Sequence, residues 1–173
     1  KEIWKGTRDE KSNWATPFVW KNSQRTEIVT AGSKAVRSYD LQGTPLWELG
    51  GMSSITVCTP FAYDDLLLVG SGYVMDKNKP LCAVRPGGSG DLTLGAEATS
   101  SASIAWCQKQ GAPYNTTPLV YQGLAYSCLD RGVLACFDAK TGEELYRERL
   151  PNSRAFTASP IGAGGKVYCL NEF

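Results

Sequence analysis

The chain has 173 residues, enough for one ordinary domain with a real core, and balances 18 Lys and Arg against 17 Asp and Glu. A formal net charge of +1 with no dense basic stripe argues against a dedicated nucleic-acid or anionic-membrane surface. The absence of histidine excludes Ser-His-Asp and Cys-His nucleophiles and His-ligated metals, leaving carboxylate, Lys, Tyr or Cys chemistry, or a bound cofactor.

In chain order the elements read as short strands. Trp4 is followed by the pair Thr16-Pro17 ahead of Phe18-Val19, then by a strand over Glu27–Ala31 and a turn at Asp40–Gly43 that leads to Trp47. Thr59-Pro60 precedes Phe61-Ala62, the doublet Asp64-Asp65 reads as a hairpin turn, and Leu66–Val69 is a strand. A loop over Gly70–Pro80 follows; its Gly70-Ser71-Gly72 is too short for a phosphate-binding fingerprint. Leu81–Arg85 is the next strand. Pro86 then opens a Gly-, Ser- and Ala-rich insertion reaching Ser103, and Ile104-Ala105-Trp106 recovers the pattern. The last third repeats it: Thr117-Pro118, strands at Leu124–Cys128 and Val133–Phe137 about the turn Asp130-Arg131-Gly132, then Asp138–Gly142, Tyr146, Ser159-Pro160 and Lys166–Leu170. The run 143–149 suits a helix by composition and a strand by alternation. No apolar run of about 18 residues exists, so no transmembrane helix is expected.

Four hydroxyl-Pro pairs recur with prolines 43, 58 and 42 residues apart, each preceded by an aromatic (Trp4, Trp47, Trp106, Tyr146) at 13, 13, 12 and 14 residues. The insertion over 86–103 accounts for the longer interval. A period near 42 residues carrying about four short strands predicts an all-β propeller of four-stranded antiparallel blades. A blade cannot bury both of its faces alone, and radial stacking solves this. The expected boundaries are 1–15 (the last strand of a preceding blade, around Trp4), 16–58, 59–116, 117–158 and 159–173 (the start of a further blade).

The stretch Cys136-Phe137-Asp138-Ala139-Lys140-Thr141-Gly142-Glu143-Glu144-Leu145-Tyr146 resembles the tryptophan-docking motif A-x-D-x-x-T-G-x-x-x-W of the pyrroloquinoline-quinone-like (quinoprotein alcohol-dehydrogenase-like) propeller family, with Cys for Ala and Tyr for Trp. Ser38–Trp47 is a copy one residue short, and Gly165–Leu170 looks like that family's second blade strand. The resemblance implies rings of seven or eight blades. A chain holding about four is therefore expected to be a fragment or half-ring, with open strand edges prone to self-association. It also implies a family of mixed roles: dehydrogenases using the quinone with calcium, kinase-associated sensors, and scaffolds such as the lipoprotein propeller of outer-membrane protein assembly.

Each conspicuous residue has a functional and a structural reading. Asp138, Glu143 and Glu144 could be acid-base groups or calcium ligands, but Asp40 and Gly43 repeat the pattern, and a catalytic group has no reason to recur once per blade. Tyr146 is expected to pack against the next blade. Arg85 and Arg131 are the cations suited to an anionic ligand. The insertion over 86–103 is a mobile partner-binding loop in its functional reading. Trp14, Trp20 and Tyr114 would be stacking platforms in a glycan-binding propeller. The six cysteines at 58, 82, 107, 128, 136 and 169 form no C-x-x-C motif, and buried thiols are favoured over disulfides.

The expected function is a non-catalytic scaffold of the bacterial envelope or periplasm, the location resting on the resemblance alone. It would bind protein partners through rim loops and strand edges, with no nucleic acid and no integral membrane segment. No catalytic or metal residue and no cofactor is assigned. Pyrroloquinoline quinone with calcium enters only under the alternative of a quinoprotein dehydrogenase fragment; a glycan-binding propeller is the other alternative.

Overall fold

A computed structural model describes residues 1–172. Chain order gives β1 (Phe18–Lys21), β2 (Thr26–Ala31), β3 (Ala35–Tyr39), β4 (Pro45–Gly50), β5 (Phe61–Tyr63), β6 (Leu66–Gly70), β7 (Leu81–Val84) and β8 (Gly90–Asp91). Then come β9 (Ile104–Gln108), β10 (Leu119–Tyr121), β11 (Leu124–Leu129), β12 (Val133–Asp138), β13 (Glu144–Arg149), β14 (Ile161–Ala163) and β15 (Lys166–Tyr168). They form sheets β1-β2-β3-β4-β8, β5-β6-β7-β9 and β10-β11-β12-β13, and the hairpin β14-β15. The chain is all-β, with one short 3-10 turn at Asp130–Gly132 among the described residues. The ambiguous run 143–149 is the strand β13, paired antiparallel with β12.

The repeat is visible in the strand register. Ser38 faces Trp47, Ala83 faces Trp106 and Cys136 faces Tyr146, and in each sheet the register shifts immediately after that position, at Ser38/Tyr39, Ala83/Val84 and Cys136/Phe137. Such bulges increase the local twist and re-aim the strand. The hydroxyl-Pro pairs have a structural use as well. Thr59 N–H donates to Thr117 Oγ1 (3.1 Å), and Thr117 N–H donates to Ser159 Oγ (2.9 Å). Each hydroxyl thus accepts the amide of its counterpart one repeat earlier, and the proline that follows begins no ladder bond of its own.

The apolar cores lie between sheets. Because strand side chains alternate between faces, the second sheet divides its residues between two seams. Leu67, Val69, Cys82 and Val84 pack with Trp20, Val29, Val36, Trp47 and Leu49 of the first sheet. Leu68, Leu81 and Ala83 pack with Ala125, Ala135 and Phe137 of the third. Covered on both sides, β7 is buried throughout, which explains its unbroken apolar run. The third seam, between the third sheet and the last hairpin, is thinner and centres on Cys128, Leu134 and Phe156.

Three expectations are corrected. No strand forms around Trp4; the first begins at Phe18, since no described strand is available there for pairing. The insertion over 86–103 is not a loose loop. It crosses to the first sheet, where β8 pairs parallel with Trp47 and Glu48, and it buries Leu92 in the first seam. Leu92 N–H donates to the Glu48 carbonyl (2.8 Å) and Gly50 N–H to Thr93 Oγ1 (2.9 Å). Finally, Cys82 and Cys107, register partners on β7 and β9, are joined as a disulfide, while Cys58, Cys128 and Cys136 are buried free thiols.

Candidate functional site

The Asp-Gly turns are structural. Asp138 Oδ1 accepts from the amides of Lys140 (2.9 Å) and Thr141 (2.8 Å) and from Thr141 Oγ1 (3.0 Å). Asp40 Oδ1 accepts likewise from the amides of Gln42 (2.9 Å) and Thr44 (2.8 Å). Backbone amides, of Thr141 and of Thr44 respectively, are the main reason both carboxyls sit below their ordinary range. Beyond each turn lies an indole from the preceding repeat. Trp106 Nε1 donates to the Ala139 carbonyl (3.1 Å) with its ring against Gly142, and Trp4 Nε1 donates to the Leu41 carbonyl (3.2 Å) with its ring against Gly43.

Trp47 and Tyr146 depart from this arrangement. The turn that Trp47 would meet is replaced by the start of the insertion, and its Nε1 donates instead to Glu27 (2.6 Å). Tyr146 remains 40% exposed, because the last hairpin brings no turn of this kind among the described residues.

Asp64 and Asp65 form the β5–β6 hairpin turn and tie repeats together: Asp65 accepts from Ser23 N–H (2.9 Å), and Asp64 pairs with Lys140 (3.1 Å). Of the two cations singled out, Arg85 donates to the carbonyl of Ser101 (2.9 Å), closing the base of the insertion. Arg131 lines an open groove of about 410 Å³ shared with Lys79, Gln110, Asp130 and Arg147. It takes a left-handed backbone, φ 62°, that non-glycine residues seldom adopt. Lys79 lies 3.8 Å from Asp130, and Arg147 is forked onto Glu144 at 3.0 and 2.7 Å. Burial pushes the Asp130 carboxyl up, opposed by Lys79 and Arg131. With three cations to one carboxylate in its lining, the groove can hold an anionic group. Of this lining, sequence reading singled out the turn residues Asp130 and Arg131. Lys79, Gln110 and Arg147 come from three separate segments, and no motif links them.

β13 is an edge strand of its sheet with no strand paired beyond it among the described residues, and all six of its residues are exposed. The corresponding edge of the first sheet is covered by β8. Leu145, Tyr146, Ile161, Tyr168 and Leu170 add exposed apolar surface at this end.

Of the aromatic platforms, Trp14 is exposed and Tyr114 packs on Tyr73 at 5.2 Å. Trp20 is fully buried in the first seam and cannot stack on a glycan; its Nε1 has no hydrogen-bond partner. No group of three or more Cys, Asp or Glu able to hold a metal ion occurs among the described residues. No described helix is long and apolar enough to cross a membrane.

No protein-family model matches this sequence, and no curated protein does. Solved structures match its fold. BamB from Moraxella catarrhalis superposes over 85% of this chain and 39% of its own, at 18% identity and a TM-score of 0.55. The quinohemoprotein alcohol dehydrogenase ADHIIG from Pseudomonas putida HK5 covers 80% of this chain and 20% of its own, at 17% identity and a TM-score of 0.53. The computationally designed Ika4 protein covers 99% of this chain and 92% of its own, at 14% identity and a TM-score of 0.62. The chain thus spans well under half the length of the two natural neighbours and nearly the whole of the designed one. At these identities the likeness establishes the fold alone, a partial β-propeller.

Proposed function

We propose that the chain is a non-catalytic propeller scaffold of the bacterial envelope that binds protein partners through an exposed strand edge and the loops beside it. The carrying observation is β13, whose six residues are all exposed and whose outer edge is unpaired among the described residues. Such an edge offers a row of backbone donors and acceptors to an incoming extended segment, with alternate side chains setting specificity. Arg147 belongs both to this strand and to the cationic groove, so a partner strand with an acidic side chain would meet both features. An extracytoplasmic location is supported by the Cys82–Cys107 disulfide, since such bonds persist in oxidising compartments.

The test is to select extended peptides on the full chain and read the bound state by amide hydrogen exchange, with light scattering to follow self-association. New protection confined to β13 and its flanking loops supports the reading, whether the partner is a peptide or a second copy. Protection elsewhere overturns it, as would quinone- and calcium-dependent dye reduction by alcohols or sugars.

A further inference from the structure

Cys128 lies on β11 of the third sheet, and Cys169 directly follows β15 of the last hairpin. The two meet in the thinnest of the three seams, packed with Leu134 and Phe156. They differ in access. Cys128 is 2% exposed, whereas Cys169 is only partly buried. The other two free cysteines have no thiol partner among the described residues: Cys58 is fully buried and pushed up to about 12 by that burial, and Cys136 sits against Tyr126 and Tyr146. The chain already carries one disulfide, Cys82–Cys107.

We infer that Cys128 and Cys169 are a redox-active pair that closes into a second disulfide, clasping the last hairpin to the third sheet. Cys169 is the attacking thiol. It is the reachable one, and the Cys128 thiol holds it below its ordinary value, favouring the thiolate. Cys128 is pushed up, first by Cys169 and then by burial, and it stays protonated until it is used.

The oxidant is a small or protein disulfide, R–S–S–R. The Cys169 thiolate attacks one of its sulfurs, the S–S bond breaks, and RS⁻ leaves. Cys128 then gives up its proton to solvent base, and its thiolate attacks the Cys169 sulfur of the mixed disulfide, expelling the second RS⁻. One external disulfide is reduced to two thiols, and two cysteines are oxidised to one cystine. The bond spans two sheets otherwise joined by little apolar surface, so its effect falls on the hairpin β14–β15.

The experiment treats the full chain with glutathione disulfide, quenches with acid, alkylates under denaturing conditions and maps peptides by mass. The expected result is a cross-linked pair of peptides carrying Cys128 and Cys169, with alkylation confined to Cys58 and Cys136. Trypsin cleavage at Lys166 should slow by tenfold or more on oxidation and recover with dithiothreitol. Cys169→Ser should abolish both the cross-link and the redox dependence of cleavage; Cys128→Ser should instead leave a persistent glutathione adduct on Cys169. Alkylation of both cysteines after oxidation, or a glutathione adduct on Cys169 that persists in the unsubstituted chain, would overturn the inference.

Discussion

Glu27→Leu is expected to destabilise the chain by about 3–5 kcal/mol, the range for breaking a buried charged network by removing one partner. Glu27 is fully buried, and each of its carboxylate oxygens receives two donors. Oε1 accepts from Asn22 Nδ2 (3.1 Å) and Arg25 Nε (3.0 Å); Oε2 accepts from Ser38 Oγ (2.5 Å) and Trp47 Nε1 (2.6 Å). Arg25 also reaches the Gly88 carbonyl (2.5 Å), so the network fastens the first sheet to the base of the insertion. Leucine fits the equivalent places: Leu66 and Leu124 face Tyr63 and Tyr121 as Glu27 faces Trp20. Shape is therefore not what the substitution costs. It strands buried donors, each worth about 1–3 kcal/mol when left unmade, although Arg25 is open enough to turn toward water. Tm should fall by roughly 10 °C, and Glu27→Gln should lie between, keeping one acceptor oxygen while turning its amide N–H groups toward two donors. A calorimetric Tm for Glu27→Leu within a degree or two of the unsubstituted chain would show that the network contributes little.

Gly142→Ala is expected to cost about 3 kcal/mol. Roughly 1 kcal/mol comes from placing a side chain at φ 74°. About 2 kcal/mol more comes from overpacking, because a Cβ there would stand 2.5 Å from two atoms of the Trp106 ring. The neighbouring contacts leave little room for relief: Gln108 Nε2 donates to the Gly142 carbonyl (2.6 Å), and Trp106 Nε1 is fixed on Ala139. Gly123→Ala is the matched control in the same sheet, with φ 82° and an ordinary 3.8 Å contact, and it should cost only about 1 kcal/mol. Urea titrations of both variants separate backbone strain from the indole seat. Equal losses would mean that the Trp106–Gly142 contact does not set the spacing of the repeats.

Much of the fold was legible because it repeats. The aromatics, the Asp-Gly turns and the hydroxyl-Pro pairs keep phase in the sequence, and several prove to be contacts between successive repeats: the Trp4 and Trp106 indoles on glycine turns, and the amides of Thr59 and Thr117 on the next hydroxyl. What breaks phase was harder to read. The insertion over 86–103 has a loop's composition, yet Leu92 and Leu94 anchor it, and a two-residue strand such as β8 carries too few residues to show a period. Glu27 was readable in principle, as a carboxylate within an otherwise apolar alternation, but only the structure reveals its four donors. The cationic groove was not legible, because Lys79, Arg131 and Arg147 are brought together by packing across more than one repeat. The Cys128–Cys169 contact was missed for the same reason: the two cysteines lie on separate repeats, and no motif links them.

Residue-resolved amide hydrogen exchange on the free chain tests most directly the claim that β13 is an open edge built for a partner. Amides of β13 not bonded to β12 should exchange at rates close to those of open loops, while the Leu92 amide, bonded to Glu48 beneath β8, should be protected like the interior of the first sheet. Uniform protection across 144–149, or free exchange at Leu92, would contradict the account.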